Sequence, residues 1–334
     1  MSPVIVTSVP LAGEFATAGA DAAAAAQLAL EDAGCPAEHR VLDAGPEPQG
    51  RHVALNARAA ADDSSVVAYL GDFATPSTMQ SLPILEIAGV PQINFSSTYC
   101  GLVGRTYFHV IPADDAQTAD LVAWMIELGI ERLYLLETPE YGHDMSTRVH
   151  RAWAAAGRSI AGLGRPERPA DLQGDLGLAD GIFVGSVADA FAAGLLRAAH
   201  ERNPGALLFA MDRLATPPLL SALPETIIER LRIETAARPP EDLPPRGQAV
   251  VERLASQLGH EPNPFAVYAY EAMALVAAAV QSVGADREAI ANWLRAVRDR
   301  DGVVGQYSLT ALGATTLAHG GRLRVVDGDL QPAR

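Results

Sequence analysis

The chain contains no lysine, and all 25 basic residues among its 334 are arginines. A lysine Schiff base, a lysine nucleophile and the phosphate-binding loop GxxxxGK[ST] are therefore excluded. Basic residues are also few beside the 40 acidic ones, so the formal net charge is −15. Nucleic acids and anionic membrane surfaces are held by clustered cations, and this charge balance argues against both as partners.

Cysteine is scarce too, with Cys35 and Cys100 only. Two cysteines are too few for a disulfide framework, and their spacing is not that of metal ligands. The signatures GxSxG, HExxH and CxxC, and a GxGxxG after a strand, do not occur in the sequence. We therefore predict no catalytic residue, no metal and no cofactor.

The sequence does contain a regular alternation of apolar, strand-length segments with helix-length segments. The predicted strands are 3–8, 39–42, 65–70, 91–95, 132–137, 181–185 and 206–210. The predicted helices are 20–33, 54–62, 75–88, 116–128, 143–156, 188–201, 248–258, 265–282 and 287–298. Residues 162–180 are interpreted as a loop, the proline-rich 238–247 as a connection, and 306–326 as short strands. This pattern predicts an α/β protein whose parallel sheets are covered on both faces, and the length predicts about two domains.

Hydroxyl side chains follow several predicted strands, at the edge where open α/β sheets bind ligands. Thr75 comes after one strand, and Ser96 and Thr98 come after the next. Hydroxyls and helix N-terminal N–H groups can hold a carboxylate without a cation, and an acid such as Asp212 suits an ammonium group. Helix capping by Thr75 and Asp212, and turn formation by Ser96 and Thr98, remain open as alternatives. The pattern favours a neutral or zwitterionic ligand.

Five stretches, in order, resemble a known family: VPLAGEFATAGAD, VVAYLGDFATPSTMQSLPILEIAGVPQINFSSTYC, YFHVIPADDAQTADLVAWMIELGIERLYLLETPEYGHD, FAMDRLATPPLL and, more weakly, YAYEAMALVAAAV. They are similar to the type 1 periplasmic solute-binding proteins, in particular the leucine/isoleucine/valine-binding receptors of ABC transporters. The resemblance implies that Thr75, Ser96 and Thr98 bind the ligand carboxylate, that Asp212 binds its ammonium group, and that Tyr141 is an aromatic wall. Many family members carry an aromatic residue before the glycine of the first loop; here that position is Ala18, before Gly19, and Phe15 could substitute.

The resemblance also implies an architecture and a role. Two Rossmann-like lobes, parallel sheets flanked by helices, would be joined by three crossovers and close on a ligand in the cleft between them. The N-terminal lobe would hold residues 1–112 and 238–305, and the C-terminal lobe 113–237 and 306–334. The chain would capture an amino acid or amide-like metabolite and deliver it to the membrane permease of an ABC transporter, with an extracytoplasmic location.

Two other functions remain open at this stage. The N-terminal residues show no export leader, so the chain is either a cytosolic protein or an exported one whose leader this sequence lacks. A cytoplasmic ligand sensor, resembling the amide-sensing regulator of amidase operons, fits the first case. The second alternative is a hydrolase on this fold that uses Ser96, His143 and Asp212, although no nucleophile motif supports it.

Overall fold

The computed structural model describes residues 2–47, 50–138, 141–186, 190–326 and 329–333. The chain divides into two compact units. The first unit comprises Met1–Ala113 and Ala237–Leu317, and the second comprises Asp114–Ala236 and Ala318–Arg334.

The first unit is built on a five-stranded sheet in which every strand pair is parallel. Its strands are β1 (Val4–Val9), β2 (Glu38–Asp43), β3 (Val66–Leu70), β4 (Gln92–Asn94) and β5 (Tyr107–His109). Their order across the sheet is β2-β1-β3-β4-β5. The helices are α1 (Ala16–Ala33), α2 (Arg51–Asp62), α3 (Thr75–Ile87), α9 (Pro245–Leu258), α10 (Ala266–Val283) and α11 (Arg287–Arg295). A hairpin of β11 (Arg300–Gly302) and β12 (Gly305–Tyr307) completes this unit.

The central strands of this sheet are buried along their whole length, which explains their continuous apolar sequences. Every residue of β1 and β3 is buried, as expected for parallel strands covered by helices on both faces. The alanine-rich helices α1 and α10 pack against each other. Helix α10 is long and apolar enough to span a membrane, but 72% of that stretch is buried inside the structure, as in the core helix of a folded domain.

The second unit contains a seven-stranded sheet in the order β14-β13-β10-β9-β8-β6-β7. Its strands are β6 (Leu133–Glu137), β7 (Gly162–Gly164), β8 (Gly181–Gly185), β9 (Leu207–Met211), β10 (Leu231–Thr235), β13 (Gly321–Val326) and β14 (Asp329–Pro332). The strands β6 to β10 are parallel, and β13 and β14 are antiparallel to their neighbours. The helices are α4 (Asp114–Glu127), α5 (Tyr141–Ala155), α6 (Ala190–Arg202), α7 (Pro217–Ser221) and α8 (Glu225–Ile228).

The structure corrects the sequence-based division at one boundary. Residues 306–317, which we assigned to the second lobe, belong to the first unit. The reason is a buried carboxylate on α10, Glu271, that accepts hydrogen bonds from the Tyr307 hydroxyl and the Val303 N–H, both at 2.8 Å. The N–H of His109 also donates to the carbonyl of Gly313, at 3.0 Å. These bonds hold the hairpin and the segment after it on the first unit.

Five strands, β5, β7, β10, β11 and β14, lie where the sequence pattern predicted none. Strand β5 has only three residues, and β7 has the sequence Gly-Leu-Gly, which carries little strand propensity of its own. It lies inside the segment that we interpreted as a loop. Strand β10 alternates apolar and charged residues, and pairing with β9 and β13 fixes it as a strand.

Candidate functional site

The loops that follow β1, β2 and β3 surround a pocket at the carboxyl edge of the first sheet. The chain passes from β1 outward to β2 and returns on the other side as β3, so the strand order reverses between β1 and β3. Open α/β sheets bind ligands beside such a switch point. The residues that line the pocket are Pro10, Phe15, Ala44, Gly45, Pro46, Glu47, Phe73, Ala74 and Ser77.

Two hydroxyls meet beside this pocket, at the start of α3. The side-chain oxygens of Thr75 and Ser97 are 2.8 Å apart and hydrogen-bonded. Helix α3 begins at Thr75, its N-cap is Ala74, and no side chain caps it. Helix capping, the alternative role considered for Thr75 in the sequence analysis, is therefore not its role in the structure. A helix N-terminus carries partial positive charge and N–H groups without partners inside the helix, so this place suits a carboxylate.

The buried side chain of Asn94 holds the loops after β3 and β4 together. Its Oδ1 accepts the N–H groups of Ser96 and Ser97, at 2.9 and 2.6 Å. Its Nδ2 donates to the carbonyl of Asp72 and to the Thr78 hydroxyl, at 2.9 and 3.0 Å. Because Asn94 is fully buried, these four bonds are shielded from water and fix both loops rigidly.

Asp72 lies beneath these loops as a buried carboxyl group. Burial raises its pKa to about 6, although the neighbouring hydroxyls of Ser81, Ser8 and Tyr69 act in the opposite direction. The Tyr69 hydroxyl donates to its Oδ1 at 2.9 Å. The preceding residue must be glycine, since Gly71 has φ +126° and a Cβ there would lie 2.5 Å from the Ser8 carbonyl oxygen.

Four phenylalanines form an apolar surface next to the hydroxyls, with Phe73 at their centre. The ring of Phe73 lies 5.8 Å from those of Phe15 and Phe265 and 6.4 Å from that of Phe95, measured between centroids. Phe15 and Phe265 are half-buried. Such a surface can pack against the apolar part of a small ligand.

The structure brings three of the predicted site residues together in the first unit. Phe15 contacts Phe73, the Ser96 hydroxyl donates to the Phe73 carbonyl at 2.8 Å, and Thr75 bonds Ser97. Thr98 is half-buried in the same loop. Phe73, Ser97 and Asn94 were not among the predicted site residues. The signal for Phe73 and Ser97 was their position directly after predicted strands, at the edge where open α/β sheets bind ligands.

The remaining two predicted residues belong to the second unit. Tyr141 is the first residue of α5, but its side chain lies outside the described residues. Asp212 is half-buried and begins a short 3₁₀ helix after β9. Burial raises its pKa, while the Arg213 charge and the N–H groups of Ala236 and Arg213 lower it.

A second acid, Glu234, lies on β10 beside the strand that leads to Asp212. It is fully buried, and neither of its carboxylate oxygens has a hydrogen-bond partner in the described structure. Burial raises the pKa of Glu234 well above its usual value, and the charges of Asp212, Asp120 and Asp114 raise it further. Arg322 is the one group that lowers it.

Within the described residues, no group of three or more His, Cys, Asp or Glu side chains could hold a metal ion. Two residues of the alternative hydrolase interpretation make other hydrogen bonds. The Ser96 hydroxyl donates to a backbone carbonyl, and the His143 ring is hydrogen-bonded to Glu137.

Comparison with known families identifies the family of the chain. The family model for the periplasmic binding proteins matches residues 4–328. The chain belongs to this family. A comparison of this periplasmic binding protein with curated proteins found no match.

Solved structures share the fold of this periplasmic binding protein over its whole length. The leucine-binding protein LivK of Thermotoga maritima is 22% identical, with a TM-score of 0.78 over 99% of this chain and 98% of the other. An ABC transporter substrate-binding protein of Desulfitobacterium hafniense, in complex with Leu, is 21% identical, with a TM-score of 0.82 over all of both chains. LivJ of Streptococcus pneumoniae, in complex with isoleucine, is 18% identical, with a TM-score of 0.77 over 99% and 98%. The fold is that of the type 1 periplasmic binding proteins, with two α/β units whose parallel sheets are flanked by helices.

Proposed function

We propose that the chain is a solute-binding receptor for a small polar or zwitterionic metabolite, an amino acid or an amide-like relative. The observation that carries this proposal is the hydroxyl pair of Thr75 and Ser97 at the uncapped N-terminus of α3. Hydroxyl and N–H donors satisfy a carboxylate or an amide oxygen without a cationic side chain.

The aromatic surface around Phe73 supports the same ligand class. Polar recognition at α3 and an apolar surface beside it are the two parts that a small amphiphilic metabolite needs. Thr98 and Ser96 stay predicted contributors to carboxylate recognition, Tyr141 a predicted wall, and Asp212 the predicted partner of an ammonium group. The raised pKa of the half-buried Asp212 fits an acid whose charge is not fully compensated before a cationic partner binds.

Delivery to a membrane permease and an extracytoplasmic location are part of this proposal. Both are supported by the family and by two of the similar structures, which are described as transporter substrate-binding proteins. Capture by closure of two lobes also stays a prediction. Small-angle X-ray scattering with and without ligand tests it, because closure reduces the radius of gyration.

A thermal-shift screen followed by calorimetry tests the proposed function. The panel contains leucine, isoleucine, other amino acids, aliphatic amides and small carboxylates. A ligand at 100 times its Kd stabilises a protein by about 2.7 kcal/mol, which gives a clear rise in Tm. Absence of any shift across the panel would overturn the proposal for these ligand classes.

A further inference from the structure

At the carboxyl edge of the second sheet, two exposed basic side chains hydrogen-bond to the same buried carboxylate. Glu137 ends β6, and only 5% of its side chain is exposed. Its Oε1 accepts a hydrogen bond from Nδ1 of His143, at 3.1 Å, and another from Nε of Arg165. The side chains of His143 and Arg165 are 59% and 62% exposed. The buried acid thus fixes two nitrogen-bearing groups at the surface.

The topology places this group at the switch point of the second sheet. The chain passes from β6 outward to β7 and returns as β8 on the other side of β6. Arg165 directly follows β7, and the register pairs Leu136 with Gly164, so Arg165 lies beside Glu137. In the first unit, the equivalent loops after β1, β2 and β3 line the pocket. By the same rule, the loops after β6, β7 and β8 are where a ligand contacts the second unit.

The free donors at this position fit an anion. Arg165 uses Nε for Glu137, and its two terminal nitrogens have no hydrogen-bond partner in the part of the chain that the structure describes. They present a planar fork, which matches the oxygens of a carboxylate or phosphate. A carboxylate only accepts hydrogen bonds, so Nδ1 of His143 carries the hydrogen toward Glu137. In the imidazolium form, both nitrogens of a histidine ring are donors.

Asp144, in the first turn of α5, does not prevent an anion from binding here by charge repulsion. Asp144 accepts a hydrogen bond from Nε of Arg148, at 2.9 Å, so a basic partner compensates its charge. The N-terminal end of α5, where His143 lies, adds the partial positive charge of the helix dipole.

We propose that Arg165 and His143 form an anion-binding position that takes a carboxylate or phosphate group of the ligand. This inference rests on the proposed function, because it assigns a further group to the ligand of the same receptor. Strand β9, which leads to Asp212, lies two strands from β6, or about 10 Å. One residue of extended chain spans at most ~3.6 Å. A ligand that meets both Asp212 and this position is therefore longer than a single amino acid, as an acidic dipeptide is.

Calorimetric titration of the wild type and three variants tests the proposal. The variants are R165Q, H143Q and the control R151Q, which removes an exposed arginine from α5. The probes are leucine, glycylleucine, glycylglutamate and inorganic phosphate. We expect glycylglutamate to bind the wild type more tightly than glycylleucine. R165Q should weaken glycylglutamate at least tenfold and H143Q severalfold, whereas leucine, and every probe with R151Q, should stay within twofold of the wild type.

The outcomes separate this inference from the function on which it rests. If leucine binds but neither glycylglutamate nor phosphate does, or if R165Q leaves both anionic probes unchanged, the anion position is wrong and the receptor proposal stands. If no probe binds the wild type, the receptor proposal fails for this set as well. Binding of phosphate alone, lost in R165Q, supports the position and identifies a phosphate rather than a carboxylate as its anion.

Discussion

The hydroxyl oxygens of Thr75 and Ser97 lie 2.8 Å apart and join the first turn of α3 to the loop after β4. Because one hydroxyl of such a pair donates and the other accepts, the pair can turn a donor toward a ligand oxygen while the second oxygen stays satisfied.

Removal of either hydroxyl should weaken ligand binding. T75V keeps the shape of the side chain and S97A changes it little, so each should lower the affinity for the best ligand of the screen about tenfold, or ~1.4 kcal/mol. Calorimetry gives the affinity, and the Tm without ligand shows whether the fold is affected. S282A, which removes an exposed hydroxyl on α10, is the control. Unchanged affinity in both T75V and S97A would contradict the role of this pair.

Asn94 should be needed for stability as well as for binding. N94D keeps the oxygen that accepts the Ser96 and Ser97 N–H groups, but it loses both donated bonds and places a buried charge against the Asp72 carbonyl. We expect a loss of about 3 kcal/mol in the free energy of unfolding, measured with urea. The exposed N292D should lose less than ~0.5 kcal/mol. Equal losses of unfolding free energy in the two variants would show that Asn94 does not hold the loops after β3 and β4 together.

The parts that could be predicted from the sequence are those set by local pattern. The apolar runs of β1 and β3 required burial on both faces, and the residues after β3 and β4 therefore had to lie at the ligand edge. Phe265 could not be placed, because only the packing of α10 brings it to Phe73. The position of Arg165 could not be predicted for a different reason. Gly-Leu-Gly becomes a strand only by pairing with β6, and the sequence alone therefore does not place the arginine after it beside Glu137.

Arg287 joins the ends of three elements in the first unit, and its loss should destabilise that unit. Its guanidinium donates to the carbonyls of Val66, Asp63 and Ala88, at 2.8, 2.7 and 3.1 Å. R287A would remove the guanidinium donor from all three carbonyls, although that of Asp63 keeps the Val66 N–H at 3.1 Å, and we expect a loss of about 3 kcal/mol by urea unfolding. R287K, with three donors on a point charge, should lie between R287A and the wild type.

A matched arginine on α2 provides the control for this prediction. Arg58 is exposed, so R58A removes the same charge without removing these carbonyl contacts and should change the free energy by less than ~0.5 kcal/mol. If R287A were no more destabilised than R58A, other donors such as water would have to replace the guanidinium at these carbonyls, and Arg287 would have no structural role.

The unpartnered carboxyl of Glu234 should make the protein less stable as the pH rises. Its pKa in the folded state is raised, so above the ordinary glutamate pKa of ~4.3 the folded state binds more protons than the unfolded state. The folded state therefore loses about 1.4 kcal/mol for each unit of raised pKa as the pH rises through this range. The charges of three acids raise the pKa of Glu234, whereas the charge of one arginine lowers it.

E234Q imitates the protonated form, so its Tm should match that of the wild type near pH 4 and exceed it increasingly toward pH 8. The exposed E229Q should follow the wild type throughout, and a constant difference between E234Q and the wild type at all pH values would mean that Glu234 stays charged in the folded protein.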